Sequence, residues 1–316
     1  MSNILITGAS GYIGSNLARR LSKSGNKISI FVRRESNLWR LKDIISYFDT
    51  HVIDISDVDV IKQKIKRIKP DIVYHSAAYG VYPSQQNLNM IIQTNIVGSV
   101  NLMKVLAEYN DLERFINIGS SFEYGPKLKA IRETEIIEPT TPYGIAKATQ
   151  THFAQYFAFQ NDLPIVTLRI FTTYGIHEEP GRLISDIMLA LIRKSTLSLG
   201  SPKVRRDFIY IDDVIDALLK TAKTKKIEGE IFNIGSGREY NLEEIVNLVK
   251  AITHMDLNIL WDDKKQHELD RTGMRGFAHI EKAKKILHWK PRYSIKQGLL
   301  ETYNWYRKNI DLYPLS

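Results

Sequence analysis

Asn3-Ile-Leu-Ile-Thr7, followed at once by Gly8-Ala-Ser-Gly11-Tyr-Ile-Gly14, is the stretch on which the fold turns. Asn3 to Thr7 reads as a short apolar strand of the kind buried on both faces of a parallel sheet. Beyond the glycines, Ile13, Leu17 and Leu21 recur at four-residue spacing, which marks a helix packing one face. Ser24-Gly25-Asn26 ends that helix, and Lys27 to Val32 supplies a second strand. Strand, glycine turn, helix and strand together make the unit that holds a dinucleotide. The glycines serve a tight turn, a close approach of pyrophosphate to backbone, and a close helix–strand contact. The pyrophosphate then rests on the helix N-terminus, where free N–H groups and the dipole favour an anion.

Outward from this unit, strands are predicted at His51 to Ile55, Ile72 to His75, Phe115 to Ile118 and Ile165 to Ile170. Helices over Val58 to Lys69, Ile91 to Tyr109 and Pro142 to Gln160 separate them. Such alternation predicts an α/β fold, a doubly wound parallel Rossmann sheet with a smaller mixed α/β substrate lobe. Residues 1–168 with about 205–238 are expected to form the cofactor domain, and about 169–204 with 239–316 the smaller lobe.

Composition narrows the field. The 316 residues include no cysteine, which excludes disulfide scaffolds, thiolate metal sites and cysteine nucleophiles. No metal site is expected. Lys and Arg number 44 against 35 Asp and Glu, a formal charge of +9. The lysines are scattered along Lys62 to Lys69, Lys223 to Lys226 and Lys282 to Lys285, mostly at amphipathic spacing. They read as solvated helix faces with affinity for anionic substrates, not as a nucleic-acid module. The longest apolar run, Ile187 to Ile192, is far short of the roughly 20 residues that span a bilayer. The N-terminus lacks a basic signal-peptide region, so a cytoplasmic protein without membrane contact is expected.

The G-x-x-G-x-x-G spacing of Thr7-Gly-Ala-Ser-Gly-Tyr-Ile-Gly14 resembles the extended branch of the short-chain dehydrogenase/reductase superfamily. The resemblance implies cofactor contacts from Gly8, Ser10, Gly11, Tyr12, Ile13 and Gly14. After the second strand, Val32-Arg33-Arg34-Glu35 places Arg33 where an acid would bind the ribose of NAD. Arg33 and Arg34 therefore point to NADP, with NAD the runner-up if the arginines are solvated and Glu35 reaches the ribose. Asp54-Ile55 resembles the superfamily's adenine contact, and His75-Ser76-Ala77-Ala78 its stretch beside the nicotinamide ribose. His75 itself reads as structural.

Tyr143-Gly-Ile-Ala-Lys147 opens a helix just after Pro142, and Ser120-Ser-Phe-Glu-Tyr-Gly125 ends a strand. Tyrosine is a poor base at neutral pH, and a lysine one turn along lies on the same helix face, where its charge would lower the tyrosine pKa. A serine then orients the substrate oxygen that exchanges a proton with the tyrosine. About one Tyr-x-x-x-Lys is expected by chance in a chain of this composition. The order after the glycine turn and the strand-end serines is what selects Ser120, Tyr143 and Lys147 as catalytic residues, with Tyr143 and Lys147 also expected to bind the cofactor, the lysine ammonium at its nicotinamide ribose.

Leu168-Arg-Ile-Phe-Thr-Thr-Tyr-Gly175, Arg205-Arg-Asp-Phe-Ile-Tyr-Ile-Asp-Asp-Val214 and Phe232-Asn-Ile-Gly-Ser-Gly237 resemble, in order and spacing, the nucleotide-sugar epimerase/dehydratase family. The resemblance implies a nucleotide-diphosphate sugar held through Arg206 and Arg271, with Ser121, Phe122 and Thr172 at the sugar. Thr172 departs from the family's usual Asn, and Arg206-Asp207 also reads as a local ion pair. Aligned on Tyr124-Gly125, Ser120, Ser121 and Phe122 occupy the Thr-Asp-Glu positions of the 4,6-dehydratases, and Glu123 falls one place late. Dehydration and decarboxylation thus lose their acid/base groups, and Phe122 replaces the cysteine of GDP-fucose synthases. The resemblance leaves NADPH-dependent reduction of a 4-keto-6-deoxyhexose as the expected reaction, an NAD-retaining 4-epimerisation as the alternative, and an idle NADP-binding sensor or scaffold as a third reading. It also implies a homodimer through the helices of Ile91–Tyr109 and Tyr143–Gln160, both apolar around too much of their circumference for a single core contact.

Overall fold

The computed structural model describes residues 1–82, 84–109, 111–262, 264 and 276–313. Its central layer is a seven-stranded sheet in the order Ile231–Ile234, Ile165–Ile170, Arg114–Ser120, Ile72–His75, Asn3–Thr7, Lys27–Val32 and Asp49–Val52. Every pairing in it is parallel, as the α/β alternation predicts. The chain starts in the middle, winds outward through Lys27–Val32, then returns to the other side through Ile72–His75. That reversal opens a crevice beyond the strand ends at Thr7 and His75, which lie opposite each other in register.

Helices cover both faces. Tyr12–Leu21 packs Leu17 and Leu21 into one core, which runs on into the smaller lobe. Val58–Ile68 packs Ile61, Ile65 and Ile68 into the core on the opposite face. The Asp57 side chain caps this second helix by accepting from Val60 N at 3.1 Å. The third strand is shorter than expected: the ladder stops at Val52, though Ile53 N still donates to Val32 O at 2.8 Å.

The single helix expected over Ile91 to Tyr109 is instead Leu88–Ile92, a π turn over Gln93–Gly98, and Ser99–Ala107. Its cause is local. Buried Asn95 turns its amide onto the backbone of Tyr79, accepting from N at 2.8 Å and donating to O at 2.7 Å. At Gly98 an added Cβ would stand 2.5 Å from Ile55. The widened turn serves both constraints. By length and composition Leu88–Ala107 could cross a membrane, but Leu102, Met103, Val105 and Leu106 are buried against the sheet.

Pro142–Gln160 begins where Thr141 Oγ1 accepts from Gly144 N at 3.0 Å, with proline in the first turn as anticipated. Gly144 lies so close to the Phe122 carbonyl that a Cβ would meet it at 2.6 Å. The start of this helix is thereby held against the end of Arg114–Ser120.

The smaller lobe is built on a three-stranded sheet of Glu239–Asn241, Arg205–Tyr210 and Thr172–Tyr174. Arg205–Tyr210 differs from expectation, because it pairs here and not in the cofactor sheet. Its polar first half is unsuited to a strand buried on both faces, and Arg205 is bonded to Glu239 at 2.7 Å. The chain then returns: Ile211–Lys223 packs beside Tyr12–Leu21, where Arg20 stands 3.1 Å from both Asp212 and Asp216.

Asp207 locks this crossing. Fully buried, its carboxylate accepts from Ser236 N and Oγ at 2.7 and 2.6 Å, from Gly237 N at 3.1 Å and from Ala278 N at 3.0 Å. Burial pushes its pKa up, and these bonds oppose that push. Asp207→Ala would orphan three backbone donors. We expect it to lower the free energy of urea unfolding by about 3 kcal/mol or more.

Candidate active site

The cofactor end of the crevice is set by backbone contact. Gly8 has φ +66°, and a Cβ on it would lie 2.5 Å from Ala77 N. A Cβ on Gly14 would lie 2.3 Å from Gly8 O. Only glycines allow the turn, the helix start and the end of Ile72–His75 to meet this closely. Ser76 Oγ fastens the contact by donating to Thr7 O at 2.6 Å. His75 lies beneath, its ring nitrogens 2.7 Å from Thr7 Oγ1 and 2.8 Å from Ser99 Oγ. Burial, then the charge of Lys147, takes its pKa down to about 3, so it is a neutral structural pin.

A cavity of about 910 Å³ runs from this turn into the smaller lobe. Gly8, Ser10, Gly11, Tyr12, Ile13 and Gly14 line one end, with Arg33, Asp54 and Ile55 beyond them and Ser76, Ala77 and Ala78 opposite. Ser120, Ser121, Phe122, Tyr143 and Lys147 form the middle, and Thr172 and Arg206 the far side. The residues expected from sequence thus converge, with two exceptions. Arg34 is exposed and outside the cavity, since successive side chains leaving a strand point to opposite sides. Arg271 lies outside the described residues. Arg206 lines the cavity while Asp207 is buried behind it on Ser236, Gly237 and Ala278.

Tyr143 keeps part of its surface open to the cavity, with the Phe122 ring edge-on at 5.9 Å. Burial raises its phenol to about 12, and the Ser120 side chain is the main group pulling it back. Lys147, expected to lower that value, does something else. Its ammonium is buried and donates to Ile118 O and to Gln150 Oε1. Burial lowers the lysine to about 8, with the Glu123 carboxylate opposing.

Further residues line the cavity, among them Arg40, which no sequence pattern singles out as a site residue, and Glu178 and Arg182, which lie in the loop Ile176 to Leu183 that the sequence places near the substrate. Arg40, 3% exposed, donates to His177 O at 2.8 Å and to Ser10 O at 3.3 Å, and pairs with Glu179 at 3.2 Å. Its burial alone has a signal, an arginine set in the apolar quartet Leu38-Trp-Arg-Leu41. Arg182 and Glu178 face each other at 3.4 Å across one helical-type step in the loop after Gly175, where no spacing rule singles them out. Glu178 Oε2 is buried and has no hydrogen-bond partner among the described residues.

Burial lifts the Glu178 carboxyl from 4.5 to about 7, against the pull of Arg182 and Arg40. A carboxyl raised in the fold stabilises below its unfolded pKa, and that stability is lost as pH rises to the folded value. The unliganded protein should therefore lose about 3 kcal/mol between about pH 4.5 and 7 from this group alone. Glu178→Gln removes the loss. Its melting temperature should exceed that of the parent by a few degrees at pH 8 and match it at pH 4.5, as measured by calorimetry.

Comparison with known proteins agrees with this geometry. The UDP-glucose 4-epimerase of Thermotoga maritima, solved with UDP-glucose, superposes with a TM-score of 0.88 at 26% identity, over 97% of this chain and 99% of that one. The UDP-glucuronic acid 4-epimerase of Bacillus cereus, solved with UDP-glucuronic acid and NAD, gives 0.85 at 27% identity over 96% and 99%. The dTDP-glucose 4,6-dehydratase of Haemophilus influenzae is 30% identical over 98% of this chain and 99% of its own. The profile of the NAD dependent epimerase/dehydratase family matches residues 4–235, and with the glycine cradle, the Ser120–Tyr143–Lys147 group and the close superposition on these structures, the chain belongs to that family.

Proposed function

We propose that the protein is a nucleotide-sugar 4-epimerase that retains its nicotinamide cofactor as NAD and acts on a UDP-linked hexose. One observation carries the choice within the family. The cavity holds the Ser120–Tyr143–Lys147 group, but the positions that would carry a dehydratase's acids are Ser121 and Phe122, and Glu123 is fully buried and not among the lining residues. Proton transfer at a single sugar oxygen is served, and a second acid/base pair is not. The UDP-sugar and NAD bound in the structural relatives support the ligand classes.

The glycine cradle and the Arg33 end of the cavity would hold the cofactor. When bound, the cofactor would supply the hydride acceptor and donor for C4 of the sugar. Tyr143 Oη takes the proton of the 4-hydroxyl as that hydride leaves, and restores it when the ketone is reduced again. Ser120 Oγ orients the same oxygen. Burial favours the protonated phenol that the reductive half needs, and the Ser120 side chain favours the phenolate that the oxidative half needs. Inversion requires the keto sugar to offer its other face. Arg206 serves as the diphosphate anchor around which it turns.

The cavity position of Arg33 supports a second reading, NADPH-dependent reduction of a nucleotide-linked 4-keto-6-deoxyhexose. Cofactor released on denaturing the purified protein separates the two. Retained NAD, with UDP-glucose and UDP-galactose interconverted without added cofactor, is expected. Exchangeable NADPH, consumed only with a 4-keto sugar, would select the reductase. On either reading Tyr143→Phe should lower kcat about a thousandfold, with KM little changed.

The same reading includes a homodimer. Ile145, Phe153 and Tyr156 form an exposed stripe on Pro142–Gln160, and Leu88 and Ile92 are exposed on the neighbouring helix. Light scattering at micromolar concentration should give twice the chain mass, and Tyr156→Asp should halve it.

A further inference from the structure

We infer that Glu123, with Arg169 as its counter-ion, is a positioning residue for the catalytic group: from behind the cavity wall it fixes the backbone of Ser120. This rests on the catalytic assignment of Ser120, Tyr143 and Lys147 made above.

The geometry is specific. Glu123 and Arg169 are 0% and 1% exposed and meet at 2.7 Å between Oε2 and Nε. Glu123 Oε1 accepts from Ser120 N at 2.8 Å, while Ser120 Oγ accepts from Phe122 N at 3.3 Å. These reciprocal bonds form a capping box around the short turn Ser121–Glu123. The backbone of Ser120 is thus held from its own turn and from the neighbouring strand at once. Gly119 makes room for the arrangement, since a Cβ there would stand 2.6 Å from Glu123 Oε1. Arg169 lies opposite Gly119 in register, and its guanidinium covers the Tyr124 ring at 4.5 Å. Tyr124 Oη then donates to Asn233 Oδ1 at 2.7 Å, so the network spans three strands.

A buried ion pair is a poor device for stability, because apolar side chains of similar volume serve as well or better. What this pair adds is a fixed carboxylate near the reacting groups but outside the cavity, unable to touch substrate. Its charge raises the pKa of both Tyr143 and Lys147. The other charges acting on these two and on Glu123 are those of Arg169, which compensates the carboxylate directly, and Arg182, which lowers Tyr143.

The test uses Glu123→Gln, whose amide oxygen still accepts from Ser120 N, and the double variant Glu123→Gln/Arg169→Met, which leaves no uncompensated buried cation. Without the carboxylate, the Tyr143 phenolate becomes easier to form and Lys147 loses its proton earlier. Both limbs of the kcat–pH profile should therefore move to lower pH, by about one unit in Glu123→Gln and by less in the double variant, which also loses the opposing charge of Arg169. At neutral pH kcat should change only as the shifted profile requires, because the amide still holds Ser120 N, and KM should stay within about twofold, since nucleotide recognition lies elsewhere. The double variant should regain the melting temperature lost by the single one while keeping a profile shifted in the same direction. A profile unmoved in whichever variant folds, or a kcat loss that tracks only the folded fraction, would overturn the inference. An inactive parent protein would instead count against the proposed function, and the inference would fall with it.

Discussion

Everything in this site depends on one close approach: the glycine turn after the first strand touches the backbone at the end of the fourth. No side chain separates Gly8 from Ala77, and none separates Gly14 from Gly8. Because the contact is backbone to backbone, it transmits position without side-chain play. The N-terminus of the first helix, the small residues Ser76 to Ala78 and the catalytic strand end at Ser120 are placed relative to one another by the sheet itself. His75, neutral and bonded on both ring nitrogens, extends that rigidity to the following helix.

A second layer of order lies beneath Ser120, Tyr143 and Lys147. Buried polar groups there are bonded in chains: Ser120 to Glu123 to Arg169, Tyr124 to Asn233, and Lys147 to Ile118 and Gln150. Such networks cost stability when partly satisfied and impose a single arrangement when complete. Both sides of the cavity nonetheless keep buried polar atoms without a hydrogen-bond partner among the described residues: Gln150 Nε2 beside Lys147, and Glu178 Oε2, Arg40 Nη2 and Tyr12 Oη near the glycine turn.

The sheet, its first unit and the convergence of Ser120, Tyr143 and Lys147 on one cavity were legible because each rests on short-range pattern: apolar runs, four-residue spacing, glycines between strand and helix. What escaped depended on long-range contact. Arg40 reaches across 137 positions to His177 O, and no local pattern encodes that pairing. Glu123 was visible as a residue one place out of register, but its role appears only when Arg169 of a different strand stands beside it. Lys147 illustrates the limit of spacing arguments. One helical turn from Tyr143 was read correctly, yet the direction of its ammonium was decided by Ile118 O and Gln150. Arg205–Tyr210 falls within the stretch expected in the cofactor domain but pairs in the smaller sheet, because its partners Thr172–Tyr174 and Glu239–Asn241 are far from it in sequence.

That strand has an evolutionary consequence. Arg206 at its start faces the substrate side, and the helix that follows it leans on the cofactor helix through Asp212, Asp216 and Arg20. The two lobes are therefore woven from one thread, with no cut that would free either as a transferable module. Exchange of the smaller lobe by recombination would have to replace two separate chain segments together, on either side of the return through Ile211–Lys223 and Ile231–Ile234.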